Sequence, residues 1–278
     1  MSTVNGTTAV TTAPKKTQGE VIVVTSGKGG VGKTTTTATL GAALALRGQR
    51  TLVVDADIGL RNLDVILGLE NRIVFNLVDV AKGVCKPNQA TIKSKKSSNL
   101  FLLPASQTDD KDVVNEQDVK SVLDQFRREF HYILVDSPAG IEQGFRNACS
   151  GADRAIVVTT PEVSAIRDAD RVIGLLSSRG IESQLIVNRL DLELVKRGDM
   201  LSVRDVREIL GTDLIGIVER DDLVIVAANC GEPAVFNPRS KAGKAFDRIA
   251  RRLCGEKVPF PQLDSSGLWS RITRRLGA

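Results

Sequence analysis

From Glu20 onward the chain alternates short apolar, largely β-branched runs with longer stretches whose apolar positions recur every three or four residues. The runs at 21–25, 51–55, 100–104, 132–136, 155–159, 184–188 and 214–218 are mostly continuous rather than alternating, as strands buried on both faces are. The spacing predicts helices over 33–47, 116–129, 164–179, 203–210 and 241–253. Strand and helix in alternation imply an α/β fold, a doubly wound, mainly parallel sheet with helices on both faces. Residues 20–254 carry this pattern as one domain. A Thr/Ala-rich stretch with Pro14-Lys15-Lys16 precedes it and reads as a disordered tail over 1–19. Pro259 and Pro261 mark a linker over 255–265, followed by a short final segment, 266–278.

Composition adds constraints. No apolar run approaches the roughly 20 residues of a membrane-spanning helix. The N-terminal stretch lacks the apolar region of a secretion signal and the arginines of a transit peptide, so a cytoplasmic protein is expected. The net charge of +5 is unevenly placed: residues 239–278 hold ten basic side chains against three acidic, while residues 20–238 hold 26 against 30. A basic protein whose body is acidic is not expected to bind a specific nucleic acid. Cys85, Cys149, Cys230 and Cys254 show no ligand spacing, and are expected to be small buried hydrophobes rather than a zinc or cluster site. His131, the single histidine, has no nucleophile beside it and is read as structural, with Phe130 and Tyr132 as core anchors.

The first apolar run leads into Gly27-Lys28-Gly29-Gly30-Val31-Gly32-Lys33-Thr34-Thr35 and then a helix, which satisfies G-x-x-x-x-G-K-[ST] in its strand, loop, helix setting. Glycines let backbone N–H groups turn toward phosphates, and the helix N-terminus adds its positive dipole end. Lys33 is then placed for the β- and γ-phosphates of ATP, and the Thr34 hydroxyl for Mg²⁺. Asp55 and Asp57 end the second strand on one side of an extended chain. Asp55 suits a Mg²⁺ water shell and Asp57 the attacking water. Asp136 ends another apolar strand before Ser137-Pro138-Ala139-Gly140 and supports Mg²⁺ through water, while the Gly140 amide can sense the γ-phosphate. Asn188, followed by Arg189, either meets the adenine edge or is a plain strand-end Asn.

The form Gly27-Lys28-Gly29-Gly30-Val31-Gly32-Lys33-Thr34 resembles the deviant Walker A box of the MinD/ParA ATPases. In that family a second lysine, here Lys28, reaches the partner's nucleotide across a dimer interface. The segments at 55–64, 103–108, 136–142, 198–202 and 231–233 resemble the branch that positions the division site. Two departures stand out: the first 18 residues look like an addition, and Val218-Glu219-Arg220-Asp221 occupies the place of a common Pro-Glu-Asp.

The resemblance implies an ATP-driven homodimer that holds the membrane, recruits a MinC-type septum inhibitor and is released when a MinE-type or other topological regulator stimulates hydrolysis. It also implies a partner-binding region over 163–171, whose charges fit a solvated helix face equally well. Related readings are a flagellar-number regulator or a DNA-partition ATPase. In the last segment Leu268, Trp269, Ile272 and Leu276 share one helical stripe, with Arg271, Arg274 and Arg275 around its flank and opposite side. That is a short basic amphipathic helix suited to an anionic membrane surface, which would place the protein peripherally on the cytoplasmic face.

Overall fold

The computed structural model describes residues 18–262, so nearly all of the expected N-terminal tail and the whole amphipathic segment 266–278 lie outside the described residues. Its strands are β1 (Glu20–Thr25), β2 (Thr51–Asp55), β3 (Ile92–Lys93), β4 (Leu100–Leu103), β5 (Tyr132–Asp136), β6 (Arg154–Thr159), β7 (Glu182–Leu190) and β8 (Asp213–Glu219). The longer helices are α1 (Lys33–Leu46), α2 (Glu116–Phe126), α3 (Gln143–Cys149), α4 (Val163–Ser178), α5 (Val203–Leu210), α6 (Leu223–Asn229) and α7 (Lys241–Leu253). The sheet order is β3-β4-β2-β5-β1-β6-β7-β8, and every pairing but β3 with β4 is parallel. The doubly wound sheet expected from the sequence is therefore present.

Continuous apolar strands are explained by the two cores. Val21 and Val23, Leu52 and Val54, and Ile133 and Val135 enter one core with α2, α3, α4 and α5. Their neighbours Ile22, Val24, Val53 and Leu134 enter the opposite core with α1 and α7. Such strands cannot shift register by one residue without exchanging the two sets of side chains.

The helices at 143–149 and 223–229, and the edge strand β3, were not legible from periodicity. The first two are one turn or two long, and β3 is a two-residue strand whose exposed Lys93 protects a sheet edge from further pairing. α2 ends at Phe126, three residues before the expected end at 129. Arg127 leaves the helix to donate to Asp153, Gly151 O and Gly19 O, tying the starts of β1 and β6 together. The expected core anchors hold: Phe130 and Tyr132 are buried, and the Tyr132 hydroxyl donates to Leu253 O at 3.0 Å. His131 Nδ1 accepts from the Arg50 amide at the far end of the sheet from the loop that follows β1. The cysteine expectation needs correction, because only Cys149 is buried and Cys230 is exposed at the end of α6. None of the four is paired.

The described part of the expected linker, 255–262, is fastened to the domain. Arg252 donates to Val258 O and Pro259 O and stacks over the Phe260 ring at 4.0 Å, while Glu256 pairs with Arg47 and Arg251.

Candidate functional site

Parallel strands place their C-terminal ends on one edge of the sheet, and loops from β1, β2, β5, β6 and β7 meet there. The loop after β1 depends on two close approaches. A Cβ at Gly27 would strike the Asp168 backbone of α4, and one at Gly32 would strike the Asn188 amide. Gly32 also has φ 94° at the N-cap of α1, a left-handed geometry that costs an L side chain about 1–2 kcal/mol. The bend in β7 at Asn188 and Arg189, where Arg189 takes φ 55°, brings Asn188 beneath the loop. Its Nδ2 donates to Val31 O at 2.8 Å, and its Oδ1 accepts from the Arg189 amide at 2.9 Å. Asn188 thus holds the loop while its remaining donor and acceptor border a cleft; Arg189 is exposed at the same rim.

The strand pairing that aligns β2 with β5 sets Asp55 opposite Asp136. Both carboxylates are 1% exposed. Asp136 Oδ1 lies 3.6 Å from Lys33 Nζ and 3.1 Å from Thr37 Oγ1. Burial pushes Asp136 up, and the Lys33 ammonium with hydrogen bonds from Thr34 and Thr37 pulls it back. Asp55 is pushed up to about 7, first by burial and then by Asp136, against hydrogen bonds from backbone amides. Its Oδ1 accepts from the Asp57 amide and its Oδ2 from those of Asn62 and Leu63. Those three amides leave one lone pair on Oδ1, which suits contact through water. Thr34, Asp55 and Asp136 form a hard oxygen set that fits Mg²⁺, an ion that keeps waters and binds through one or two protein groups plus phosphates. No group of three or more metal-binding His, Cys, Asp or Glu occurs among the described residues, so the set is not a closed protein cage.

A raised Asp55 has a definite consequence. In the folded, nucleotide-free protein this carboxyl holds its proton across the window from pH 3.8 to about 7, while the unfolded chain has released it. Stability contributed by this group therefore falls as pH rises through that window, by up to roughly 1 kcal/mol per pH unit. Binding of Mg²⁺ and nucleotide favours the ionised form, so calorimetry in buffers of different ionisation enthalpy should show proton release near pH 6.5 that disappears by pH 8.5. An unchanged proton count between the two would contradict this account.

Lys28 behaves differently from Lys33. Its side chain is 44% exposed, and its Nζ donates to Ser164 Oγ at 3.1 Å and lies 3.9 Å from Glu162 at the start of α4. The Gly140 amide donates to Ser26 O at 3.2 Å, so the loop after β5 rests on the beginning of the phosphate loop. Asp57 is partly exposed, but its Oδ1 is buried without a hydrogen-bond partner among the described residues.

Beside Gly32 and Thr35 opens a cleft of about 450 Å³, lined also by Met200, Glu219, Arg220, Ile225 and Phe246. Its size and position suit the nucleoside of ATP. Sequence reasoning missed Thr37, Met200, Ile225 and Phe246. Thr37 was detectable in principle as one of three buried threonines in the helix α1, whereas Met200, Ile225 and Phe246 come from separate segments and meet only at the folded cleft. Gly68 and Gly231 let the end of α6 approach the chain that follows the short helix at 63–66, since a Cβ on either would meet the other's backbone within 3.0 Å.

The sequence matches the ParA family, described as NUBPL iron-transfer P-loop NTPase, over residues 17–254. It is 52% identical to the septum site-determining protein MinD of Bacillus subtilis over 264 residues, 93% of this chain and 98% of that protein. Among solved structures, the MinC:MinD cell division protein complex of Aquifex aeolicus superposes with TM-score 0.82 at 49% identity, covering 88% of this chain and 99% of that one. Septum site-determining MinD of Pyrococcus horikoshii, complexed with Mg-ADP, superposes with TM-score 0.77 at 29% identity over 84% of this chain and 95% of that one.

Proposed function

Since this chain belongs to the MinD family of ParA-type P-loop ATPases, Mg²⁺-dependent ATPases that position the cell-division site, we propose that it works as a dimerising membrane switch. ATP pairs two copies; the pair holds an anionic membrane surface at the cytoplasmic face and a MinC-type septum inhibitor, and hydrolysis releases both. A MinE-type regulator or another topological factor times that release.

The observation that carries this reading is the unequal placement of two lysines in one loop. Lys33 is buried against Asp136, where it serves its own nucleotide, and Lys28 is exposed at the rim with only a neutral hydroxyl and a distant carboxylate beside it. An exposed cation at that rim can neutralise the phosphates of a facing copy. Two ATP-loaded sites can approach each other only if such charge is supplied.

The chemistry follows from this chain's own groups. Amides of Gly29 to Lys33 and the start of α1 enclose the phosphates, Lys33 bridges the β- and γ-phosphates, and Asp57 orients the water for in-line attack. Mg²⁺, when bound by Thr34 with Asp55 and Asp136 behind its waters, supplies charge neutralisation on the transferring phosphoryl group. The exposed Arg167, Asp170 and Arg171 on α4 adjoin the Lys28 rim and offer a charged face to the septum inhibitor. The relative from Aquifex aeolicus was solved in complex with MinC, which supports such a partner here.

Light scattering with ATP and with ADP tests the switch. Lys28→Ala is expected to retain nucleotide binding as a monomer and to lose the ATP-dependent dimer. Asp57→Ala is expected to form the dimer and to lose hydrolysis by about 100-fold or more, because only the orientation of water has been removed. A Lys28→Ala protein that still pairs with ATP would contradict the role across the interface.

A further inference from the structure

The Ser106–Lys111 segment, part of which resembles the family, has no part in the chemistry above, yet it lies against the loop that carries Asp57. The Gly59 amide donates to Ser106 O at 2.8 Å, and Ser106 Oγ in turn accepts from the Thr108 and Asp109 amides. Behind Asp57 is a small, partly open cavity of about 10 Å³, close to the room one water centre requires, bordered by Asp57, Lys111, Asn147 and otherwise apolar groups. The buried Oδ1 of Asp57 has no hydrogen-bond partner among the described residues. The Lys111 side chain borders the same cavity and makes no ion pair or hydrogen bond among the described residues. Asn147, 4% exposed, is fixed by donating to Val114 O and accepting from Gln143 Nε2, so the cavity wall is rigid on that side.

We propose that Lys111 is a positioning residue for ATP hydrolysis, holding the inner oxygen of Asp57 through one water buried in this cavity so that the outer oxygen faces the attacking water. The idea rests on the assignment of Asp57 to that water. A buried carboxylate oxygen with no partner is destabilising and leaves its side chain without a fixed orientation. A bridging water is nearly as good as a direct hydrogen bond and satisfies it. Lys111 is exposed and also lines this cavity, so its long, flexible stem can bring the ammonium to a water held there. Misplacement of a catalytic group by about 1 Å can cost 100-fold in rate, which is the scale on which such a tether acts.

The test is basal Mg-ATP hydrolysis of the full chain with four variants, Lys111→Ala, Lys111→Arg, Asp57→Asn and the double Asp57→Asn/Lys111→Ala. Lys111→Ala is expected to lower kcat about tenfold with KM changed less than twofold and with the ATP-dependent dimer intact by light scattering. Lys111→Arg should recover most of the rate, and the double variant should be no slower than Asp57→Asn alone. Lys111→Ala with unchanged kcat, a loss not rescued by arginine, or a further loss in the Asp57→Asn background would each overturn the proposal. If Asp57→Asn itself hydrolyses ATP at the normal rate, the assignment of Asp57 fails instead, whatever Lys111 does. Because Lys111 is exposed, its replacement leaves folding undisturbed, and an unchanged melting temperature checks this.

Discussion

Lys33→Ala is expected to weaken ATP binding by about 100-fold or more and to remove hydrolysis with it. The argument is electrostatic. Lys33 Nζ sits beside two buried acids, Asp55 and Asp136, both 1% exposed, and lies 3.6 Å from the latter. Without that ammonium, incoming phosphates meet two buried acids and backbone amides alone. Each charged hydrogen bond lost contributes roughly 1.5–3 kcal/mol, and Lys33 is placed to make them to two phosphates. The same change strands Asp136 without its cation, so the carboxyl shifts further toward its protonated form and away from the state that holds Mg²⁺. Titration with a fluorescent ATP analogue and phosphate-release assays measure the two losses. Circular dichroism on the same sample separates them from misfolding. Hydrolysis at the normal rate in this variant would remove the loop from the catalytic site.

How much of this was legible in the sequence depends on whether a feature is local. The β1 to α1 transition was readable because its glycines and Lys33 act within one loop, and the structure adds only why they are fixed: the Asp168 backbone beside Gly27 and the Asn188 amide beside Gly32. Asp55 and Asp136 were each readable as strand-end acids, but their mutual effect was not, since register across β2 and β5 is a tertiary property. Asn188 shows the same limit from the other side. Its place at a strand end was expected, while its hydrogen bond to Val31 O arises from an irregularity in β7 that no periodicity announces. Cys230 was misread because a small apolar residue at the end of a helix is buried or exposed according to what packs on that helix, and α6 leaves Ile225 63% and Val226 55% exposed as well. The tether at Lys111 was invisible for a stronger reason, because a cavity belongs to no segment.

Removal of residues 268–278 is expected to abolish ATP-dependent sedimentation with anionic liposomes while leaving ATP-dependent dimerisation intact. The segment lies outside the described residues, and its sequence carries the expectation. At helical spacing Leu268, Trp269, Ile272 and Leu276 would share one apolar stripe, with Arg271 and Arg275 on its flank and Arg274 on the opposite side. Each arginine near an anionic surface contributes on the order of 1 kcal/mol, so one short helix binds weakly. The chain is still held at Phe260, by Arg252 and by the pairing of Glu256 with Arg47 and Arg251, a short way in sequence before Leu268. A short connection keeps the second helix of a dimer close once the first has engaged, and such a link can raise avidity by roughly 10²-fold or more without any new contact. Weak single binding and strong paired binding are what would convert the nucleotide state into membrane occupancy. Lys28→Ala, which keeps both the segment and nucleotide binding, should therefore sediment as poorly with ATP as the truncated chain does. Truncated protein that sediments with ATP as well as the full chain would show that the domain itself holds the membrane, and the switch would then need a different anchor.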